Sequence, residues 1–254
     1  MNKLWILFGA LVLAEIGYPL TEGRARTALV VATVVLGYVI SVAHAWLTRG
    51  RRTAVALILI TTGGGFLVEA VGRATGYPFG DYDYTAALGP RLLGVPLAIP
   101  LAWTWMAWPA WTAAGRITTN RIAKIAVAGV GLAAWDLFLD PQMVSQGYWQ
   151  WHTTTPALPG VPGIPLTNYL GWLIVATALM ALLHITEKYD KGESYGRREK
   201  SEPSDAPMHA MYLWTYASSI LAHAVFLGLP ASAAWGAAGM GLVAIPLAVR
   251  LWRP

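Results

Sequence analysis

The sequence GVPLAIPLAW at residues 94–103 returns as GIPLTNYLGW at residues 163–172. The two stretches align without a gap at a glycine, a proline, two leucines and a tryptophan. Upstream of them, Glu69 and Asp140 each stand seven positions before a Gly-Tyr pair. This pattern predicts two similar helical hairpins related by an axis along the membrane normal, an arrangement known in membrane proteins. Chance similarity in a chain rich in glycine, proline and leucine is the alternative.

The chain as a whole is apolar enough to lie in a membrane. Of its 254 residues, 56% are hydrophobic and only 12% are charged, whereas soluble domains carry about 25% charged residues. A membrane-spanning helix needs about 17–25 residues, and apolar windows of that length lie at about 4–20, 27–47, 54–71, 92–114, 122–140, 166–186, 208–228 and 231–250. We therefore predict an all-α polytopic membrane protein with about eight transmembrane helices, in which residues 1–254 form one membrane domain.

The distribution of basic residues predicts the orientation. If the N-terminus lies in the cytoplasm, fourteen of the 18 Lys and Arg residues fall on the cytoplasmic side, five of them in a charged loop at 187–207. Basic residues favour that side, so we predict a cell-membrane protein with both termini in the cytoplasm. The same distribution explains the net charge of +5 without a nucleic-acid partner. A cleaved signal peptide is the alternative for the first segment, although Glu15 and Tyr18 favour its retention as a span.

Polar side chains at membrane depth converge on one side of this topology. Glu69, Asp136 and Asp140 lie near the outer ends of the third and fifth spans, Asn168 begins the sixth span, and Glu15 lies in the outer half of the first. Carboxyl groups inside a membrane are costly and are functional candidates for that reason. We predict that Glu69, Asp136 and Asp140 are catalytic and that Asn168 contacts the substrate.

The outer loops add aromatic and acidic residues to this face. Tyr82 and Tyr84 follow Glu69, and Trp149 and Trp151 follow Asp140. Aromatic belts at the membrane surface explain many such residues, but these four flank carboxyl groups, so we predict that they bind an apolar substrate. The loop acids, for which we also predict a catalytic role, are Asp81 and Asp83.

Metal chemistry has one candidate motif. Asp136 and Asp140 are four residues apart and share a helix face, a spacing that can bind Mg²⁺ and a diphosphate, as in membrane prenyltransferases. The plain alternative is a pair of helix-end acids bonded to backbone amides. The five histidines are scattered and there is no cysteine, so the clustered ligands of a membrane di-iron hydroxylase are missing. We predict no metal and no cofactor.

These residues resemble the membrane carotenoid hydratases that act on ψ end groups, the family of γ-carotene 1′-hydroxylase and bisanhydrobacterioruberin hydratase. The resemblance covers roughly residues 65–175. Its motifs are Glu69, Gly76-Tyr77-Pro78-Phe79-Gly80 with Tyr82 and Tyr84, Gly94-Val95-Pro96, Pro100-Leu101 and Trp103, then Asp136, Asp140-Pro141, Trp149, Trp151 and Gly163 to Trp172 with Asn168. These motifs do not fix the carotenoid.

The resemblance implies addition of water across the terminal C1′=C2′ double bond of a linear carotenoid, giving a tertiary alcohol. Such a hydration needs a proton donor, a site that tolerates a tertiary cation and a placed water, and an apolar site favours the protonated form of a carboxyl group. Either Glu69 or Asp140 is the expected donor, and Asp136 or the other of that pair handles the water. The expected partners are a carotenoid in the bilayer and other enzymes of the carotenoid pathway. A Mg²⁺-dependent prenyltransferase and a non-catalytic carotenoid-binding or transport protein are the alternatives.

Overall fold

The computed structural model describes residues 2–191 and 204–253, and these residues are mostly helical. Short π-helical or 3₁₀-helical turns join several of the helices into longer stretches. The α-helices are α1 (Asn2–Gly17), α2 (Gly23–Arg49), α3 (Arg51–Leu57), α4 (Gly64–Thr75), α5 (Ala98–Ile117), α6 (Arg121–Ala133), α7 (Asp136–Ser145), α8 (Leu166–Lys191), α9 (Ala206–Leu221) and α10 (Pro230–Trp252).

Six of the helical stretches in the described residues are long and apolar enough to cross a membrane. They are Asn2–Leu20, Gly23–Arg49, Arg51–Thr75, Arg121–Ser145, Leu166–Thr186 and Pro230–Trp252. Many of their large apolar side chains point outward, such as Ile6, Leu59 and Leu242, each about 70% exposed, as a helix surrounded by lipid requires. The chain is a multi-pass membrane protein. Helix α5 and the stretch 206–226 match the two other predicted windows, and the number of eight crossings stays a prediction.

Helix α5 is the centre of the structure. Fifteen of its 20 residues are buried, among them Trp103, Trp105, Trp108 and Trp111, and a helix that is apolar on all sides belongs in the interior. It packs against α2, α6, α9 and α10. Its central position explains why the side chains of α5 reach the interior site described below.

Two expectations about secondary structure need correction. The charged loop predicted at 187–207 is shorter, because α8 continues to Lys191 and α9 begins at Ala206; residues 192–203 of that loop lie outside the described residues. The prediction of a purely helical protein is also incomplete. The described residues contain six short strands, β1 (Tyr82–Tyr84), β2 (Arg91–Leu92), β3 (Val95–Pro96), β4 (Trp149–Trp151), β5 (Ala157–Leu158) and β6 (Val161–Pro165).

The central region consists of two halves, residues 64–117 and residues 136–191, and the strands show that both halves have the same order of elements. The first half runs α4, β1, β2, β3, α5, and the second runs α7, β4, β5, β6, α8. Strands β2 and β3 form one antiparallel pair, and β5 and β6 form another. Helices α4 and α7 are each followed by an aligned glycine in the left-handed conformation, Gly76 with φ 74° and Gly147 with φ 70°, which is the usual way to end a helix. The parallel arrangement of the two hairpins stays a prediction.

Candidate active site

Strands β1 and β4 join the two outer loops directly. They pair antiparallel, with Tyr82 opposite Trp151 and Tyr84 opposite Trp149. Because side chains alternate between the two faces of a strand, all four of these rings point to the same side, where each is less than 10% exposed. The residues between them, Asp83 and Gln150, are exposed on the other face. The pairing therefore builds an aromatic wall from two loops that are far apart in sequence.

Glu69 lies beneath this wall in the middle of α4 and is 4% exposed. Its Oε2 atom accepts hydrogen bonds from the Tyr82 hydroxyl at 2.5 Å and from the Tyr84 hydroxyl at 2.8 Å. Its Oε1 atom accepts one from the Trp103 indole N–H of α5 at 3.0 Å. Burial, and then the nearby Glu69 carboxyl, raise the pKa of both tyrosines, so both phenols stay protonated and donate. Three donors from two elements, β1 and α5, hold this carboxyl group in place.

Asp136 and Asp140 face the same amide group. They are one turn apart on α7, and both are buried. The side-chain nitrogen of Asn168, in the first turn of α8, donates to Asp136 Oδ2 at 2.8 Å and to Asp140 Oδ2 at 2.5 Å. Asp140 Oδ1 also accepts the Trp149 indole N–H at 3.0 Å. The other oxygen of Asp136, Oδ1, is buried without a hydrogen-bond partner. One amide thus brings two carboxyl groups close together.

The two acidic groups open into one cavity. Its empty space is about 1220 Å³, including the part that opens to the surroundings. Glu69, Asp140 and Asn168 line it, whereas Asp136 is not part of the lining. Eleven of the other 26 lining residues are aromatic: Tyr18, Phe79, Tyr82, Tyr84, Trp103, Trp105, Trp135, Phe138, Trp149, Trp151 and Trp172. None of the described residues that line it is a Lys or an Arg, so the lining offers no cation to a diphosphate.

The structure places the loop acids away from this cavity. Asp81 and Asp83 are exposed, and neither lines the cavity. Asp83 pairs instead with His152 at 3.1 Å and with Arg73 at 3.9 Å on the outer face of the β1–β4 pair. The alternation along β1 that turns Tyr82 and Tyr84 inward turns Asp83 outward. Their expected contact with the reacting atoms therefore has no support in the geometry.

Sequence reasoning missed two features of the site. Trp103 and Trp172, the last aligned positions of the repeated stretch, stack with ring centroids 3.9 Å apart and planes inclined by 8°. Their matched positions in the two aligned stretches were the sequence signal that could have identified this pair. The second feature is Gln142, which lines the cavity one turn beyond Phe138 on the same helix as Asp140. No motif distinguishes it from an ordinary polar residue of a helix.

The acidic residues do not assemble into a metal-ligand set. Among the side chains that the structure describes, residues 2–186 and 204–253, no three or more His, Asp or Glu are grouped as ligands of one metal ion. Asp136 and Asp140 accept hydrogen bonds from the Asn168 side-chain nitrogen, and Asp140 also accepts one from the Trp149 indole N–H. The arrangement fits chemistry in which carboxyl groups move protons in an apolar, aromatic cavity.

Comparison with known proteins places the chain in a family. The carotenoid biosynthesis protein family matches residues 28–247, and the chain belongs to that family. Over 137 residues it is 33% identical to bisanhydrobacterioruberin hydratase of Haloarcula japonica, a match that covers 52% of this chain and 45% of the relative. The match thus spans less than half the length of that relative. No solved structure matches the chain.

Proposed function

We propose that this protein adds water across the terminal C1′=C2′ double bond of a linear, ψ-ended carotenoid and forms a tertiary alcohol. The observation that carries the proposal is that Glu69 and Asp140 line one aromatic cavity from opposite halves of the chain. Membership of a carotenoid biosynthesis family and similarity to a hydratase support the same reaction class. The cavity takes the end of the carotenoid, and the rest of the polyene extends into the bilayer.

The hydrogen bonds support different roles for the two acidic groups. Glu69 accepts three hydrogen bonds from neutral donors, and such bonds stabilise the carboxylate form. Asp136 and Asp140 lie against one amide, and two neighbouring buried carboxyl groups repel each other when both are ionised. We assign the proton to the aspartate pair, with Asp140 as donor because it lines the cavity, and the base to Glu69.

The reaction then balances with the residues of this chain. Asp140 gives its proton to C2′, the π bond breaks, and a tertiary cation forms at C1′. The faces of the surrounding aromatic rings stabilise that cation, with roughly 0.5–2 kcal/mol for each ring in contact. A water molecule adds to C1′, and Glu69 accepts the proton that the water loses. Return of that proton to the aspartate pair restores the starting state.

The decisive experiment is product analysis in membranes that contain the full chain and lycopene as a ψ-ended carotenoid. We expect a product heavier by one water molecule, with its hydroxyl oxygen labelled from ¹⁸O-labelled water. Glu69→Gln should lower the rate of its formation by roughly 10²–10⁴, and the matched control Glu22→Gln, at an exposed position before α2, should not. Label that comes from ¹⁸O₂ would identify an oxygenase and overturn the proposal. Binding without any product would identify a carotenoid-binding protein.

Two further measurements address the orientation and the prenyltransferase alternative. A reporter fused after residue 195 should lie in the cytoplasm and one fused after residue 155 outside, which puts the cavity near the outer face. Chelation with EDTA should leave the hydration unchanged. Activity that EDTA removes and Mg²⁺ restores would contradict the proton-transfer mechanism.

A further inference from the structure

The cavity has a second polar region that the proposed hydration does not use. It consists of Glu15 and Tyr18 from the first helical stretch and Thr215, Ser218 and Ser219 from α9. Thr215, Ser218 and Ser219 stand at positions i, i+3 and i+4 and so share one face of their helix, and Glu15 and Tyr18 are likewise three residues apart. These five residues, here called the α1–α9 subsite, line the same cavity as Glu69 and Asp140.

Two hydroxyl groups of this subsite are buried and can still form hydrogen bonds. Thr215 is 3% exposed and its hydroxyl makes no hydrogen bond to the described residues, and Tyr18 is 6% exposed with Gln142 beside its hydroxyl. A buried polar group without a partner is unfavourable and calls for a specific explanation. Both side chains line the cavity, so a ligand in the cavity can supply the missing bonds.

The chemistry of the subsite selects the kind of ligand group. The carboxyl group of Glu15 accepts the Trp214 indole N–H through Oε2 at 2.5 Å, and no hydrogen bond within the described residues uses its Oε1. The subsite therefore combines hydroxyls that donate or accept with a carboxyl oxygen that accepts. Because the described lining contains no Lys or Arg, it does not suit a phosphate or a carboxylate. A neutral hydroxyl group, which both donates and accepts, matches every one of these atoms.

We propose that the α1–α9 subsite binds a neutral hydroxyl group of the isoprenoid ligand. The inference rests on the proposed function in one respect: the ligand that enters the cavity is an isoprenoid. It adds that the preferred substrate carries a hydroxyl group close to the double bond that reacts, because the acids and the subsite share one cavity.

Binding of two small probes tests this without relying on turnover. Linalool and 3,7-dimethylocta-1,6-diene share a carbon skeleton and a terminal trisubstituted double bond, and they differ only in one hydroxyl group. Quenching of the cavity tryptophans gives the affinity of the full-length protein in detergent for each probe. We expect linalool to bind about tenfold more tightly than the diene, as one or two net hydrogen bonds allow. Thr215→Val should remove most of that preference and leave the affinity for the diene unchanged.

The controls separate this inference from the proposed function. Thr48→Val removes a threonine hydroxyl that bonds its own helix at His44 O and does not line the cavity, so it should keep the tenfold preference. Ser219→Ala serves as a second subsite variant if Thr215→Val does not fold. Equal binding of both probes to the parent protein, no binding of either, or a preference that survives both subsite variants would overturn the subsite. A parent protein that prefers linalool but hydrates no carotenoid would overturn the proposed function alone.

Discussion

Glu69 and the Asp136–Asp140 pair occupy the corresponding helix in each half of the central region, yet their surroundings differ. Glu69 stands alone and accepts three hydrogen bonds, from two phenols and one indole. The aspartates stand together and share one amide, and one of their four oxygens is buried without a partner. A single acid with many donors is suited to carry a charge, whereas two acids with few donors are suited to hold a proton.

In the proposed mechanism, this difference gives an apolar cavity both an acid and a base without any cationic side chain in its described lining. Asn168 aligns with Ile99, so the amide that holds the aspartates has an apolar residue as its counterpart in the first half. Trp103 and Trp172 keep their identity and stack against each other. This stacked tryptophan pair is common to both halves, and the polar groups distinguish them.

The largest expected effect comes from exchanging each acid for its amide. Glu69→Gln and Asp140→Asn should each lower the rate of hydration by roughly 10²–10⁴, the usual contribution of a general acid or base. The two variants should nevertheless differ in D₂O. Glu69→Gln retains the donor, so the cation still forms and returns to the alkene, and recovered substrate should contain deuterium at C2′. Asp140→Asn lacks the donor and should leave the substrate unlabelled.

Mass spectrometry of the recovered carotenoid measures this difference, and retained pigment binding shows that both variants fold. The opposite labelling pattern would exchange the two roles. Equal labelling by both variants would show that neither acid is the sole donor, and the asymmetry of hydrogen bonds would then have no catalytic meaning.

Much of this site could be predicted from the sequence because spacing on helices is a local property. The boundaries of the spans and the positions of Glu69, Asp136, Asp140 and Asn168 follow from apolar windows and from the aligned stretches. The pairing of β1 with β4 could not be predicted in this way. It joins residues 82–84 to residues 149–151, and the resulting alternation, which buries Tyr82 and Tyr84 but exposes Asp83, depends on a register that neither loop specifies alone.

The α1–α9 subsite could not be predicted from the sequence for a similar reason. Serine and threonine at a helical spacing are common in membrane helices, where they bond to their own backbone. Only the packing of α1 against α9 shows that Thr215 and Tyr18 face the same cavity as Glu69. Contacts between elements distant in sequence made the difference in both cases.

A smaller effect is expected from Asp136→Asn, which keeps the volume of the side chain but removes the second carboxyl group. Asp140 would then have two amides and one indole as neighbours, and it would no longer share a proton with another acid. We expect a loss of hydration of about 10–100-fold, the equivalent of one hydrogen bond to a charged group. Initial rates in membranes measure it. A loss as large as that of Asp140→Asn would show that Asp136 is itself the donor.

A still smaller effect is expected from removing one phenol at Glu69. Tyr82→Phe or Tyr84→Phe leaves two of the three donors in place, so each should lower the rate of hydration about tenfold. The double variant should be worse than the sum of the two effects, because the remaining indole donor binds the other carboxyl oxygen. Tyr77→Phe is the matched control, since Tyr77 is 79% exposed and should have no effect. Normal activity of the double variant would contradict a charged Glu69.

The smallest effect should come from the acids on the outer face of the strand pair. Asp83→Asn changes a hydrogen bond with His152 and removes an ion pair with Arg73, and every side chain involved is more than one-third exposed. Exposed pairs of this kind contribute at most about 1 kcal/mol to stability, and the opposite face of β1 holds the residues that line the cavity. We therefore expect Asp83→Asn, and likewise Asp81→Asn, to keep the rate of hydration within about twofold. Parallel rate and thermal-melting measurements on both variants check this. A large loss of activity with an unchanged melting temperature would show that these loop acids take part in the reaction. It would also show that β1 presents its other face to the substrate.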